Sequence, residues 1–362
     1  MNLNQVKFSR KNQMDFVSTL NTRVRDYFKE SGKSKFANNT MVIKSIFMIA
    51  LYLIPYAFLI SGLITSAPFL YLMWAIMGFG MAGIGLSIMH DANHGAYSKN
   101  QTVNKWMGNL IVLVGGSPYN WRIQHNVLHH SFTNIDGLDE DLDSGPILRF
   151  SPHQELRPHH KYQYIYAWGL YSLLTLMWST TKDWRQIFRY NDKDLIKTQK
   201  MSFKRMLIEQ FSFKLFYTTV FVVIPFLVVP LPWYLILGGI FMMHAIAGIS
   251  LAAIFQPAHV VPETDFPMPD EEGNMENNWA IHQLLTTTNF APNSKLFSWY
   301  VGGLNFQIEH HLFPNVCHVH YKKISKIVKK TASEFNLPYY SKRTFFEAIS
   351  SHTKMLWQLG RA

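Results

Sequence analysis

The chain has 362 residues, 48% of them hydrophobic, and a formal net charge of +11. The length would allow two soluble domains and the charge would allow a nucleic-acid binder, but the distribution of residues excludes both. No Asp, Glu, Lys or Arg occurs from residue 45 to 89 or from 215 to 262, and each run is about twice the roughly 20 residues that span a bilayer.

The basic residues flank these runs instead of forming a groove. They crowd the stretches Arg23–Lys35 and Lys182–Lys214, while the turns near Ser61–Pro68 and Val228–Trp233 carry none. This is the positive-inside pattern, and it predicts that both termini and all long loops lie in the cytoplasm. The first forty residues lack the apolar core of a signal peptide. Cys317 is the only cysteine, which excludes an intramolecular disulfide and an iron–sulfur cluster ligated by cysteines of this chain.

In chain order, residues 1–40 read as a cytoplasmic lead-in. Phe16, Leu20, Val24 and Tyr27 recur at helical spacing, as in an amphipathic helix that either lies on the membrane surface or packs against the rest of the chain. The first span is expected near 42–63, with Pro55 inside it, and the second near 69–89. Gly78, Gly80, Gly83 and Gly85 in the second permit close helix contact.

That span ends at His90-Asp91-Ala92-Asn93-His94, where His90 and His94 share a helix face. Trp121 then introduces His125-Asn126-Val127-Leu128-His129-His130. His125 and His129 repeat the spacing, and His130 is expected on the neighbouring face. Asp139 and Asp141, in the acidic run that follows, could accept hydrogen bonds from histidine N–H groups.

Tyr164–Thr181 is apolar and aromatic, but parity argues that it lies along the interface. If all the histidine clusters share one site, an even number of spans must separate the second cluster from the third. The segments near 215–231 and 234–255 already supply two. His244 falls mid-span and reads as a hydrogen-bonded packing or tunnel group. His259 emerges at the cytoplasmic end as a further metal-ligand candidate.

The third cluster is Gln307-Ile308-Glu309-His310-His311. Seven imidazoles and one amide in three such clusters are more than one ion needs, and imidazole-rich sets favour iron, zinc or copper over magnesium or calcium. Trp279, His282 and Gln283 read as helical surface or pocket wall, and His318 and His320 as hydrogen-bonding groups. Asp91, Asn93, Trp121, Asn134, Glu309 and His282 are expected to support the ligands or the substrate.

The order HDANH, HNVLHH, QIEHH, with hydrophobic hairpins between, resembles the membrane fatty acid desaturases over roughly residues 40–330. The resemblance implies an all-α integral membrane fold with four transmembrane helices in two hairpins. A cytoplasmic helical cap would carry a non-haem di-iron site. The implied ligands are His90, His94, His125, His129, His130, His310 and His311, with His259 where the family often supplies one more.

Gln307, where many members carry His, resembles the front-end and linoleoyl-CoA desaturase branch. So do Asn134 with its acidic run, and His311-Leu312-Phe313-Pro314. The expected domains are a lead-in over 1–40, the desaturase domain over 41–330 and a cytoplasmic tail over 331–362.

The implied reaction uses dioxygen as co-substrate to insert a cis double bond into a fatty acyl chain carried as acyl-CoA or acyl-lipid. The sequence has no haem-attachment motif and no dinucleotide fingerprint, and it lacks the His-Pro-Gly-Gly of a fused cytochrome b5 domain. Electrons are therefore expected from a separate ferredoxin or cytochrome b5, as in bacterial members acting in the cytoplasmic membrane. A membrane di-iron lipid hydroxylase would share the same ligands. A histidine-rich metal transporter fits less well, because the spans offer few polar groups along a crossing path.

Overall fold

The computed structural model describes residues 6–9 and 13–361 and is mostly helical. The helices used below are α1 (Met14–Ser31), α2 (Asn39–Ile60), α3 (Ala67–Asn93), α4 (Phe203–Val228), α5 (Trp233–His259), α6 (Trp279–Leu285), α7 (Gln307–Leu312), α8 (Tyr321–Glu334) and α9 (Phe345–Leu359). Two short parallel pairs join β1 (Lys7–Phe8) to β2 (Asn274–Met275) and β3 (Asn289–Phe290) to β4 (Ser341–Lys342). Contacts divide the chain into two compact units. One comprises 39–123 and 168–252; the other comprises the stretch up to Asn38, 124–167 and the stretch from Ala253.

Four helices, α2 to α5, are long and apolar enough to cross a membrane. Ser66 and Pro68 open α3 where the first turn needs no proline N–H, and the Ser202 hydroxyl accepts from the Arg205 N–H at the start of α4. Glycines set the packing of the first unit. A Cβ at Gly80 would lie 2.7 Å from the backbone nitrogen of Tyr52, and one at Gly78 would lie 2.8 Å from the Met243 carbonyl oxygen. Only a residue without a side chain lets α2 and α5 approach α3 this closely. Many outward residues of α2 and α4 are large and apolar, among them Ile43, Ile46, Phe211 and Leu227.

The segment expected along the interface is broken at Leu173, between a helix at Gln163–Ser172 and a second that runs on through a π-turn at Trp178–Lys182 into the polar Asp183–Asp192. Neither is among the four helices long and apolar enough to cross a membrane. Within the first unit, the Thr175 hydroxyl donates to the His244 carbonyl at 2.9 Å. The Tyr217 hydroxyl meets His244 Nε2 at 2.9 Å. His244 is thus the hydrogen-bonded interior group expected of it.

In the second unit, α1 takes the packing role, one of the two its periodicity allows. Its apolar stripe of Phe16, Leu20 and Val24 is buried against Leu284, Ile308, Ile324 and Val328, not laid on a membrane. Periodicity reveals an apolar face but not what covers it. Residues 331–361 pack into the same unit. Ala348, His352 and Leu356 are buried, and His352 Nδ1 donates to the Val260 carbonyl at 2.9 Å.

Candidate metal centre

The second histidine cluster lies on a π-helix, Arg122–His129, which passes into a short α-helical turn at His130–Phe132. A π-turn holds more residues than an α-turn, because its hydrogen bonds run i to i+5. It therefore brings His130 round to His125, and their Nε2 atoms are 3.2 Å apart. The expectation that His130 would face a neighbouring side assumed an α-helical period and is corrected here. A second π-turn, Ile84–Ile88, lies just before His90.

The third cluster lies on α7, a six-residue helix buried along its whole length. Such a short helix cannot hold itself, since most of its N–H groups have no intrahelical partner. The Asn289 side-chain oxygen satisfies one of them by accepting from the Ile308 N–H at 2.9 Å. His310 Nε2 then lies 2.9 Å from His130 Nε2.

Five of the imidazoles, His125, His129, His259, His310 and His311, are held from behind through Nδ1. His129 Nδ1 is 3.0 Å from both Asp139 oxygens, and His125 Nδ1 is 3.4 Å from Asp141. His259 Nδ1 meets the Thr286 carbonyl at 3.1 Å, His310 Nδ1 the Tyr321 hydroxyl at 3.3 Å, and His311 Nδ1 the Gln283 side-chain oxygen at 2.8 Å. Burial lowers the His129 pKa, but the carboxylates of Asp139 and Asp141 outweigh it and raise the group to about 9. They favour a proton on Nδ1 and direct the Nε2 lone pair inward.

The donor set fits metal ions. Nε2 separations of 2.9 and 3.2 Å suit adjacent donors on one ion with metal–nitrogen bonds of about 2.0–2.1 Å. His259 Nε2 is buried with no hydrogen-bond partner among the described residues, a costly arrangement unless its lone pair is taken up by a donor or a metal ion. His129, His259 and His311 form one group with ligand atoms within 4.8 Å of one another; His130, His310 and His311 form another. In the other unit, the His90 and His94 rings pack edge to face at 4.9 Å, and Trp121 meets them at 5.4 and 5.5 Å.

A family model described as fatty acid desaturase matches residues 65–343. The chain belongs to the fatty acid desaturase family. It is 35% identical to an sn-1 linoleoyl-lipid 6-desaturase of Arthrospira platensis over 94% of this chain and 91% of the relative. It is 34% identical to an enzyme of the same name from Synechocystis sp., over 99% and 98%. An acyl-lipid (8-3)-desaturase of Physcomitrium patens is 38% identical over 96% of this chain and 72% of the relative.

The desaturase's predicted supporting residues divide by position. Asp139 accepts from the backbone N–H groups of Asn134 and Asp141, both at 2.9 Å, in addition to facing His129. Asn134, in the left-handed region at φ 60°, donates from Nδ2 to the carbonyls of His259 and Asp265 at 3.0 Å. His282 is buried, not on a helical surface. Its Nε2 meets the Thr133 carbonyl at 2.7 Å, and burial lowers its pKa to about 4.

Asn93 bonds to Arg122 Nη1 and the Gly108 carbonyl, and Asp91 Oδ1 is 3.9 Å from the adjacent His90 Nδ1, beyond hydrogen-bond range. Glu309 faces away from the histidine rings toward Asn289, which caps the helix that carries them. Its carboxylate accepts from Asn289 Nδ2 at 2.8 Å and from the Tyr339 hydroxyl at 3.0 Å. Gln307 is buried, and its amide nitrogen has no hydrogen-bond partner.

Sequence reasoning missed Gln283, Tyr321 and Thr286 as partners of histidines. Gln283 had a signal. It is one helical turn beyond Trp279, and both donate to the His130 carbonyl, Trp279 Nε1 at 2.9 Å and Gln283 Nε2 at 3.4 Å. Thr286 acts through its backbone, which side-chain chemistry does not reveal.

Proposed function

We propose that this fatty acyl desaturase is a front-end enzyme working on acyl chains carried by membrane lipids, with a di-iron centre. The observation that carries the metal reading is the set of histidines at His125, His129, His130, His259, His310 and His311, several backed at Nδ1, with His259 Nε2 lacking a hydrogen-bond partner. The names of the relatives, linoleoyl-lipid 6- and acyl-lipid (8-3)-desaturases, support a lipid-borne substrate and an insertion point near the carboxyl end. His90, His94 and Gln307 are proposed as the remaining ligands on the strength of the sequence motifs.

Bound irons would supply dioxygen activation and an oxidant strong enough to remove hydrogen from an unactivated acyl chain. The residues of this chain hold and orient. Asp139, the Thr286 carbonyl and Gln283 fix the tautomers of His129, His259 and His311. The rings of this site are almost fully buried, so bulk water is excluded from the reacting carbons.

The proposed setting is a bacterial cytoplasmic membrane crossed by two hairpins, with the histidines and both termini cytoplasmic. A ferredoxin or cytochrome b5 would be the separate electron donor. The test is fatty-acid profiling by gas chromatography in a host expressing the chain and fed linoleate and longer polyunsaturated precursors. A new double bond on the carboxyl side of an existing one is expected. Hydroxylated products, or no new product with any donor, would refute the reading.

A further inference from the structure

The outer surface of α8 is densely basic. Lys322, Lys323, Lys326, Lys329 and Lys330 are all exposed. At 3.6 residues per turn they fall within an arc of about 120°. Tyr321, Ile324 and Val328 lie on the opposite side and are buried in the core. The helix has one carboxylate, Glu334, and Arg23 of α1 takes it at 2.7 Å. Among the described residues none of the five lysines is in an ion pair, so the face keeps its full charge.

The same helix touches the metal centre from its other side. Its first residue, Tyr321, places its hydroxyl 3.3 Å from Nδ1 of His310. A charged face for solubility could lie anywhere. This one is separated from a candidate ligand by the thickness of one helix, about 10 Å.

We infer that the lysine face of α8 is the docking surface for an acidic one-electron carrier protein, which delivers electrons to the edge of the centre at His310. The inference rests on the reading of the chain as a desaturase fed from outside. The balance of the reaction requires such a carrier. Two C–H bonds of the acyl chain break and one carbon–carbon π bond forms. The two protons and two electrons so released join two electrons from successive carriers and two protons from water, and together they reduce one dioxygen to two waters. Clustered unpaired lysines steer an acidic partner during approach and set its orientation, which suits a carrier that must bind, discharge and leave.

The experiment uses the full iron-loaded chain in phosphatidylcholine nanodiscs, with an acidic plant-type [2Fe–2S] ferredoxin as probe. Association is measured by stopped flow at several salt concentrations. The triple variant Lys322→Glu/Lys326→Glu/Lys329→Glu should associate at least about tenfold more slowly at low salt, with a flattened salt dependence. Lys99→Glu/Lys105→Glu/Lys193→Glu changes net charge equally at exposed positions of the other unit and should associate like the parent chain.

Equal slowing in both triples would reduce the effect to net charge and overturn the proposal, as would an unchanged rate in the α8 triple. Vesicles containing phosphatidylglycerol provide the second arm. Loss of vesicle binding in the α8 triple with ferredoxin association intact would assign the face to lipid and also overturn it. Iron content and melting temperature report folding; if the triple loses either, Lys326→Ala should show the same slowing on a smaller scale. A chain that makes no new double bond but whose ferredoxin association still depends on these lysines would refute the desaturase reading and leave the surface standing.

Discussion

His130 and His310 are 180 residues apart in the chain, yet their Nε2 atoms lie 2.9 Å from each other. One ring donates to the other when its proton sits on Nε2; with both protons on Nδ1 the two lone pairs face each other, and an ion between them turns that repulsion into ligation. The desaturase should therefore purify from iron-replete cells with about two irons per chain, the number its imidazole groups suggest. Elemental analysis returning one ion, or none, would contradict this.

Asp139→Asn should weaken metal retention without unfolding the chain. The carboxylate meets His129 Nδ1 at 3.0 Å and also accepts two backbone N–H groups. Loss of such a partner typically costs about 10–100-fold in metal affinity or activity. Iron release to a competing chelator measures it, and parent-like retention would remove Asp139 from the support of the site.

Gln307→Ala should abolish or nearly abolish turnover while leaving the protein folded, since α2 to α5 hold their contacts without it. Gln307→His should keep its iron, because imidazole binds better than an amide, but turn over more slowly or shift the product pattern. Full activity and unchanged iron in Gln307→Ala would reduce Gln307 to a wall of the pocket.

Topology can be read by labelling single cysteines in a Cys317→Ser background. Leu63, between α2 and α3, and Leu296, beyond α6, are both highly exposed at 78% and 77%. Leu63→Cys should react with an impermeant maleimide added to intact cells, and Leu296→Cys only after lysis. The reverse pattern would invert the proposed orientation.

Phe16→Ala tests where α1 resides. The ring is fully buried in the core with Phe335 edge-on at 5.8 Å, so its loss should cost about 3–5 kcal/mol and lower the melting temperature in detergent. A helix held only by the membrane surface would show weaker lipid binding and an unchanged melt.

What the sequence made legible follows from what repeats along it. The histidine pairs announce themselves by spacing, and the spans by their lack of charge. The meeting of His130 with His125 was hidden, because a π-turn has no periodicity that five residues can display. Gln283 and Tyr321 were hidden for another reason. Neutral polar side chains become recognisable as partners only when folding brings His311 or His310 to them. The partners of Glu309 were hidden in the same way, since its neighbours in sequence are histidines while its neighbours in space are Asn289 and Tyr339.

His259 closes α5, a helix of 27 residues that runs about 40 Å at 1.5 Å per residue. That exceeds the roughly 30 Å of a bilayer's hydrocarbon, and such a helix answers a thinner membrane by tilting. A tilt of α5 carries its last turn with it, so the height of the His259 ring above the acyl chains becomes a function of bilayer thickness. Nanodiscs of fourteen-carbon and eighteen-carbon phosphatidylcholine should give different ratios of double-bond positions from one substrate; identical ratios would show that the ring is decoupled from the tilt of the helix.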